Sequence, residues 1–312
     1  MKFYVGVTDD GWYNFLSRRQ PDEINFWKPS GKGVFKALTP GELFLFKLHS
    51  PLNYIVGGGF FVRYLNIPLS MAWEAFGEKN GVNDLETLRS KIIGYRGTHE
   101  PNPVIGCNIL SNPFFFAKEQ WIPIPADWSS NIVSGKVYDS REQTGANLWA
   151  SVQERIALNK ITEIQPEQPS IIAEGEARYG AEYLTKARLG QGTFRILVTE
   201  AYTRRCAVTG ERTLPVLEAA HIKPFALSGP NSTNNGILLR SDLHKLFDLG
   251  YLTVTKDFHV EISKRIKEEY ENGREYYALH GHQIKILPDS PVDRPSGLYI
   301  EWHNQNIWFF RI

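Results

Sequence analysis

Residues Leu217–Leu249, LEAAHIKPFALSGPNSTNNGILLRSDLHKLFDL, read as strand, loop, turn and helix in succession. The run PVLEAAHI predicts a strand ending on His221, and Pro224, which has no amide to give a ladder, stops it. GPNSTNNG is a run of turn formers. Ile237 to Leu239 resume as a short apolar strand. Ser241-Asp242 then stand where a helix N-cap belongs, ahead of a helix that carries His244. One histidine ends the first strand, Asn235 opens the second, and another histidine rides the helix, at spacings of 14 and 9 residues.

Hydrolysing a phosphodiester requires a base for water, neutralisation of the phosphate and help for the leaving oxygen. A neutral imidazole, with an ordinary pKa of about 6.5, suits the first task. AAHIKP, NNGILL and DLHKLFDLGYL together resemble the HNH nuclease motif, a ββα-metal fold, over about 50 residues of the chain. The resemblance implies His221 as general base and His244 as metal ligand. It implies Asn235 as the residue that holds the loop and orients the base or ligates metal. It implies one divalent ion, Mg²⁺ with Mn²⁺ able to substitute, at the scissile phosphate. Many relatives carry Asp or His just before the base; this chain has Ala220. Glu218 and Asp242 are the candidate replacements, with water and phosphate completing a sparse shell. HNH modules often hold a structural zinc on paired CxxC knuckles. Cys206-Ala-Val-Thr209 has Thr in the second place, so no structural zinc is expected.

The composition sets bounds on the rest. A chain of 312 residues suggests two domains. A formal net charge of +1 means that any nucleic-acid binding comes from local patches rather than from the total. Two cysteines, Cys107 and Cys206, exclude a disulfide-stapled scaffold and fit a reducing bacterial cytoplasm. No apolar run has signal-peptide or membrane-spanning length, so neither export nor a membrane partner is expected.

In the first half, Lys2 to Val7 alternates as a strand, and Asp10 is placed to cap a short helix through Arg18. Asn25 to Pro29 reads as a loop. Leu43 to Leu48 is an apolar strand, and Tyr54 to Tyr64 is another, with a glycine bulge. Ser70 is placed to cap one helix and Asp84 a second. Val104 to Leu110 and Ile122 are further strands, and Thr144 to Leu158 is an amphipathic helix. This order, with LTPGELFLFKL at its centre, resembles the PUA-like superfamily and within it the EVE domain. Such domains, like the related SRA type, bind modified bases. The expected fold class is therefore α+β: an N-terminal PUA-like small β-barrel with helices (EVE/SRA-like) over residues 1–158, a linker at 159–174, and a ββα-metal HNH domain with a helical lead-in over 175–312.

Inspecting a base modification means taking the base out of the stack into a pocket with aromatic walls and a few polar groups. Trp27, Trp12 and Tyr13 are the candidate walls, although an aromatic on a strand more often packs in a core. Asp10, Asp22 and Ser70 are candidate acceptors for the amino group of cytosine. Further on, Glu176 to Leu189 reads as a helix, and Thr193 is placed to cap the next. Between Arg178 and Arg212 there are seven Lys/Arg against three Glu, and Arg188, Arg195, Arg204 and Arg205 are candidate phosphate contacts. His259, His280, His282 and His303 are assigned structural roles.

The expected function is a modification-dependent restriction endonuclease of type IV character, acting on double-stranded DNA that carries 5-methyl- or 5-hydroxymethylcytosine. One HNH module cuts one strand, so a homodimer or paired binding is expected. Two alternatives stay open: a nuclease indifferent to modification, and a reader without catalysis.

Overall fold

The computed structural model describes residues 1–97, 100–163 and 189–308. The chain divides into two compact units, Met1–Ala187 and Arg188–Ile312.

The first unit is built from β1 (Lys2–Thr8), α1 (Asp10–Arg19), β2 (Glu23–Lys28), β3 (Leu43–Leu48), β4 (Tyr54–Pro68), α2 (Leu69–Phe76), α3 (Leu85–Arg96), β5 (Val104–Phe115), β6 (Ile122–Pro123), β7 (Gly135–Asp139) and α4 (Gln143–Glu163). Its seven-stranded sheet runs β2-β5-β4-β3-β1-β7, with β6 on β4. β1 and β3 pair in parallel; the other pairs are antiparallel. Period-2 alternation sends successive side chains to opposite faces, and both faces are covered. Tyr4, Phe44 and Phe46 pack with Trp12, Tyr13 and Leu16 of α1 on one side. Phe3, Val5, Leu43 and Leu45 pack with Leu148 and Val152 of α4 on the other. The bulge expected in the glycine run is present: the β4–β5 register shifts between Gly58 and Phe60.

Several local expectations are corrected. Asn25 to Lys28 are not a loop but part of β2, paired to β5. The buried position of Asn25, where it donates to Asn80 Oδ1 at 2.9 Å, breaks the apolar pattern that would have announced a strand. Asp9, not Asp10, caps α1, accepting from the Trp12 amide at 2.8 Å. Ser70 caps nothing: the cap position of α2 is Pro68, and the Ser70 amide and hydroxyl are engaged by Asn102 at 2.9 and 3.0 Å. The first residues of the expected linker, 159–163, continue α4. The rest of that linker and the helix expected from Glu176 lie outside the described residues, Leu189 aside.

The second unit contains α5 (Gln191–Ala201), β8 (Leu217–His221), β9 (Gly236–Arg240), α6 (Ser241–Asp248), β10 (Leu252–Val254), β11 (Val260–Ile262), α7 (Arg265–Tyr270), α8 (Arg274–Tyr277) and α9 (Gly297–His303). Thr193 is buried inside α5, whose cap is Gly190. The hairpin β8–β9 pairs Leu217 with Arg240 through His221 with Gly236. α6 packs against both of its strands. Arg240, rather than Ser241 or Asp242, occupies the cap position of α6. One apolar core joins Phe194 and Val198 of α5, Leu217, Ile237, Leu243 and Phe247 of the central segment, and Ile284 and Ile300 of the tail.

Candidate active site

His221 stands at the end of β8 with its ring stacked on Phe194, at a centroid distance of 3.8 Å and 10° between planes. Its Nε2 lies 2.8 Å from Asn231 Oδ1. Asn231 is itself oriented, because its Nδ2 donates to the Leu189 carbonyl. An amide oxygen only accepts, so Nε2 carries the hydrogen and Nδ1 keeps the free lone pair. Burial lowers the imidazole pKa from its ordinary 6.5, and the charge of neighbouring His244 adds to this against the opposing hydrogen bond to Asn231. The ring is therefore neutral and fixed in tautomer at neutral pH, as a proton acceptor requires.

Asn235 is completely buried. Its Oδ1 accepts from the Lys223 amide at 2.9 Å, and its Nδ2 donates to the carbonyls of Lys223 and Pro230, each at 2.9 Å. The amide clamps both ends of the loop after β8, and it does not line the cleft. A metal-ligand role for Asn235 is thereby corrected: the groups that would turn to a cation are spent on backbone.

His244, on α6, presents Nδ1 to Glu218 Oε2 at 2.6 Å and Nε2 to Asp248 Oδ2 at 3.3 Å. Glu218 thus fixes the imidazole from behind, as a carboxylate commonly does for a ligating histidine; it does not itself face the cleft, which corrects its assignment as a ligand. Asp242 is held by the Arg240 guanidinium at 2.6 and 2.7 Å and is not a ligand candidate either. The residue that does accompany His244 is Asp248, four positions on and so on the same helix face. Burial raises its carboxyl pKa, while neighbouring His244 favours the ionised form.

His221, His244 and Asp248 share a cleft of about 310 Å³ with Ala219, Ile222, Pro224, Phe225, His303 and Ile307. Adjacent ligands of an octahedral Mg²⁺, each at about 2.1 Å, stand roughly 3 Å apart, so the Nε2–Oδ2 separation suits a shared cation. Among the described residues no group of three His, Cys, Asp or Glu side chains converges on a metal position. His244 and Asp248 are the two cleft side chains that would hold a cation, with water and substrate completing its shell. Cys206 is buried, and its sulfur receives the amides of Arg240 and Thr209 at 3.4 and 3.5 Å.

His303, at the rear of the cleft, is structural as expected. It stacks on Phe247 at 3.8 Å, and its Nε2 donates to the Phe247 carbonyl at 3.1 Å. Burial lowers its pKa from 6.5 to about 4. Between those values the unfolded chain binds the proton and the folded chain does not. The stabilisation is therefore complete above pH 6.5 and is lost as pH falls towards 4, by about 3 kcal/mol in total. In urea unfolding at a series of pH values, the stability gap between wild type and His303→Leu should shrink by that amount across the window. A gap that does not change with pH would show that His303 does not titrate this way.

Of the candidate phosphate contacts, Arg188 lies outside the described residues. Arg204 is paired with Glu200 at 2.6 Å. Arg195 and Arg205 are half-buried and do not line the cleft.

The first unit has a separate cavity of about 400 Å³ with Trp12, Phe26, Trp27 and Tyr95 in its walls and Thr8, Asp9, Lys28, Ser30, His49 and Ser134 as polar groups. Trp27 is set by a hydrogen bond from Nε1 to the Asn80 carbonyl at 2.9 Å. Trp12 is nearly all buried, edge-on to Phe26 and Phe46. The structure brings these two predicted residues together, but not the other four. Tyr13 and Asp10 line a different groove, and Ser70 lines neither. Asp22 is paired with Lys79 at 2.6 Å. The carboxylate at the cavity is Asp9.

Residues 206–255 match the family model described as HNH endonuclease. Over this segment, the chain is similar to HNH endonucleases. No curated protein matches the chain. Among solved structures, an ASCH protein from Zymomonas mobilis is 8% identical, with 47% of this chain and 94% of that chain covered and a TM-score of 0.35. A structure titled as the modification dependent TagI restriction endonuclease is 15% identical, with 96% of this chain and 81% of that chain covered and a TM-score of 0.28. No described helix is long and apolar enough to cross a membrane.

Proposed function

We propose that the HNH domain is directed by its N-terminal unit to DNA carrying a modified cytosine, 5-methyl or 5-hydroxymethyl, which is flipped into the cavity beside Trp12 and Trp27. The observation that carries this reading is the cavity itself. It is large enough for one base, walled by aromatic rings, and supplied with a carboxylate that can accept from the exocyclic amine. EVE-type recognition and a paired or dimeric arrangement for cutting both strands belong to the same proposal.

At the cleft, His221 Nδ1 takes the proton from the attacking water, and Asn231 keeps the opposite nitrogen protonated so that the lone pair stays aimed. His244 Nε2 and Asp248 would hold the divalent ion, Mg²⁺ in this reading, and Glu218 fixes the His244 ring. When bound, the ion neutralises the scissile phosphate and stabilises the leaving oxygen. Clamping by Asn235 keeps the loop, and with it the water position, in place.

Cleavage of matched DNAs with and without 5-hydroxymethylcytosine, in Mg²⁺ or Mn²⁺, tests the reading; equal cutting of both removes it. Trp27→Ala should weaken the preference for modified DNA more than cutting itself, with a loss of affinity of about 5- to 150-fold, the worth of stacking one base. If the preference is unaltered, Trp27 is packing.

A further inference from the structure

On the rim of the cleft, the turn Phe225–Leu227 carries two large apolar side chains in water, Phe225 at 39% and Leu227 at 52% exposure. Such residues on a mobile loop would mean little, but this loop is fixed. Leu227 and Gly229 both donate to the Pro224 carbonyl, at 2.9 and 3.0 Å, and Ser228 closes the turn in the left-handed region at φ 65°. Asn235 ties down Lys223 and Pro230 on either side. Gly229 is packed so closely that a Cβ there would sit 1.9 Å from the Lys223 carbonyl oxygen. The chain thus invests a buried amide and a glycine in holding an apolar pair out of the core, beside the catalytic histidine.

The occupant follows from continuity with the cleft. Phe225 lines the same wall as His221, His244 and Asp248, so a strand whose phosphate is attacked there passes over it. Successive base pairs rise only about 3.4 Å, which brings the bases next to the cut within reach of one side chain. Lys223, on the same loop, lies over the Trp302 ring at 5.5 Å and adds a cation beside the path. Resting on the nuclease assignment of the cleft but not on base-modification reading, we infer that Phe225 and Leu227 form an apolar wedge. The wedge enters the base stack of duplex DNA at the cut and opens that step, so that the phosphate can turn into the cleft.

The test uses the full chain and a duplex whose cut position has been mapped, with binding measured in EDTA and cleavage under single turnover in Mg²⁺. Both are repeated on the same duplex with a mismatch at the cut step, where the opening cost is already met. Phe225→Ala/Leu227→Ala should weaken binding and slow cleavage of the matched duplex by about 5- to 150-fold. On the mismatched duplex it should lose several-fold less, and Phe225→Tyr should restore wild-type behaviour. The side chains are exposed, so the thermal midpoint should be unchanged. No loss on the matched duplex, or an equal loss on both, would overturn the wedge. A wild type that cuts no duplex at all would instead count against the nuclease assignment on which the wedge rests.

Discussion

His221→Ala should lower the rate of DNA cleavage by about 10²- to 10⁴-fold, the usual contribution of a positioned general base, while DNA binding stays within a small factor of wild type. The side chain removed is half-buried and stacked on Phe194, so the folded state should survive its loss. A paired observation comes from pH. The base works only when neutral, and burial holds its pKa below the ordinary 6.5. Activity should therefore persist below pH 6.5 and decline only as pH falls through that lowered value. A variant that cuts at the wild-type rate would show that another group activates the water, and an acid limb above pH 7 would contradict the buried, neutral ring.

Asn235→Ala should cost stability before it costs chemistry. It strands one buried amide and two carbonyls at once. A buried polar group without its partner costs roughly 1–3 kcal/mol, so the loss for the C-terminal unit is about 3 kcal/mol or more. For a unit of this size that is a fall in Tm on the order of 10 °C. Asn235→Asp, which keeps the acceptor for Lys223 but turns a second acceptor and a buried charge onto the two carbonyls, should be no more stable than the alanine variant. Calorimetry or denaturant titration of the three proteins checks the order. An alanine variant as stable as wild type, yet unable to cut, would return Asn235 to a direct role at the phosphate.

What could be read from the residues alone differs sharply between the two units. In the HNH segment three polar side chains at fixed spacing sit on elements that follow one another immediately, so local pattern and tertiary contact coincide. Even there the motif passes over Asp248, although its place four residues after His244 on one helix face is a usable signal. Asn231 was hidden among turn formers, because nothing local marks which asparagine of a loop reaches back to the strand before it. The cavity of the first unit is another case. Its lining comes from the end of β1, the start of α1, β2, α3 and the approach to β7, and no sequence window contains that neighbourhood. Trp12 and Trp27 were named for being aromatic, and the fold brings them to one wall. Tyr13, adjacent to Trp12, points along another side of α1, as successive helix residues must. Residue β2 Asn25 masked its strand because a buried amide looks like a loop residue until its partner Asn80 is in view.

The core that supports the catalytic hairpin draws on Phe194 upstream and Ile300 downstream, well beyond the 206–255 segment that carries the motif. That segment by itself would lack the part of its apolar core that these flanking residues supply. A transplant of this domain onto another protein should therefore keep the whole stretch from α5 to α9, which is more than twice as long as the matched segment.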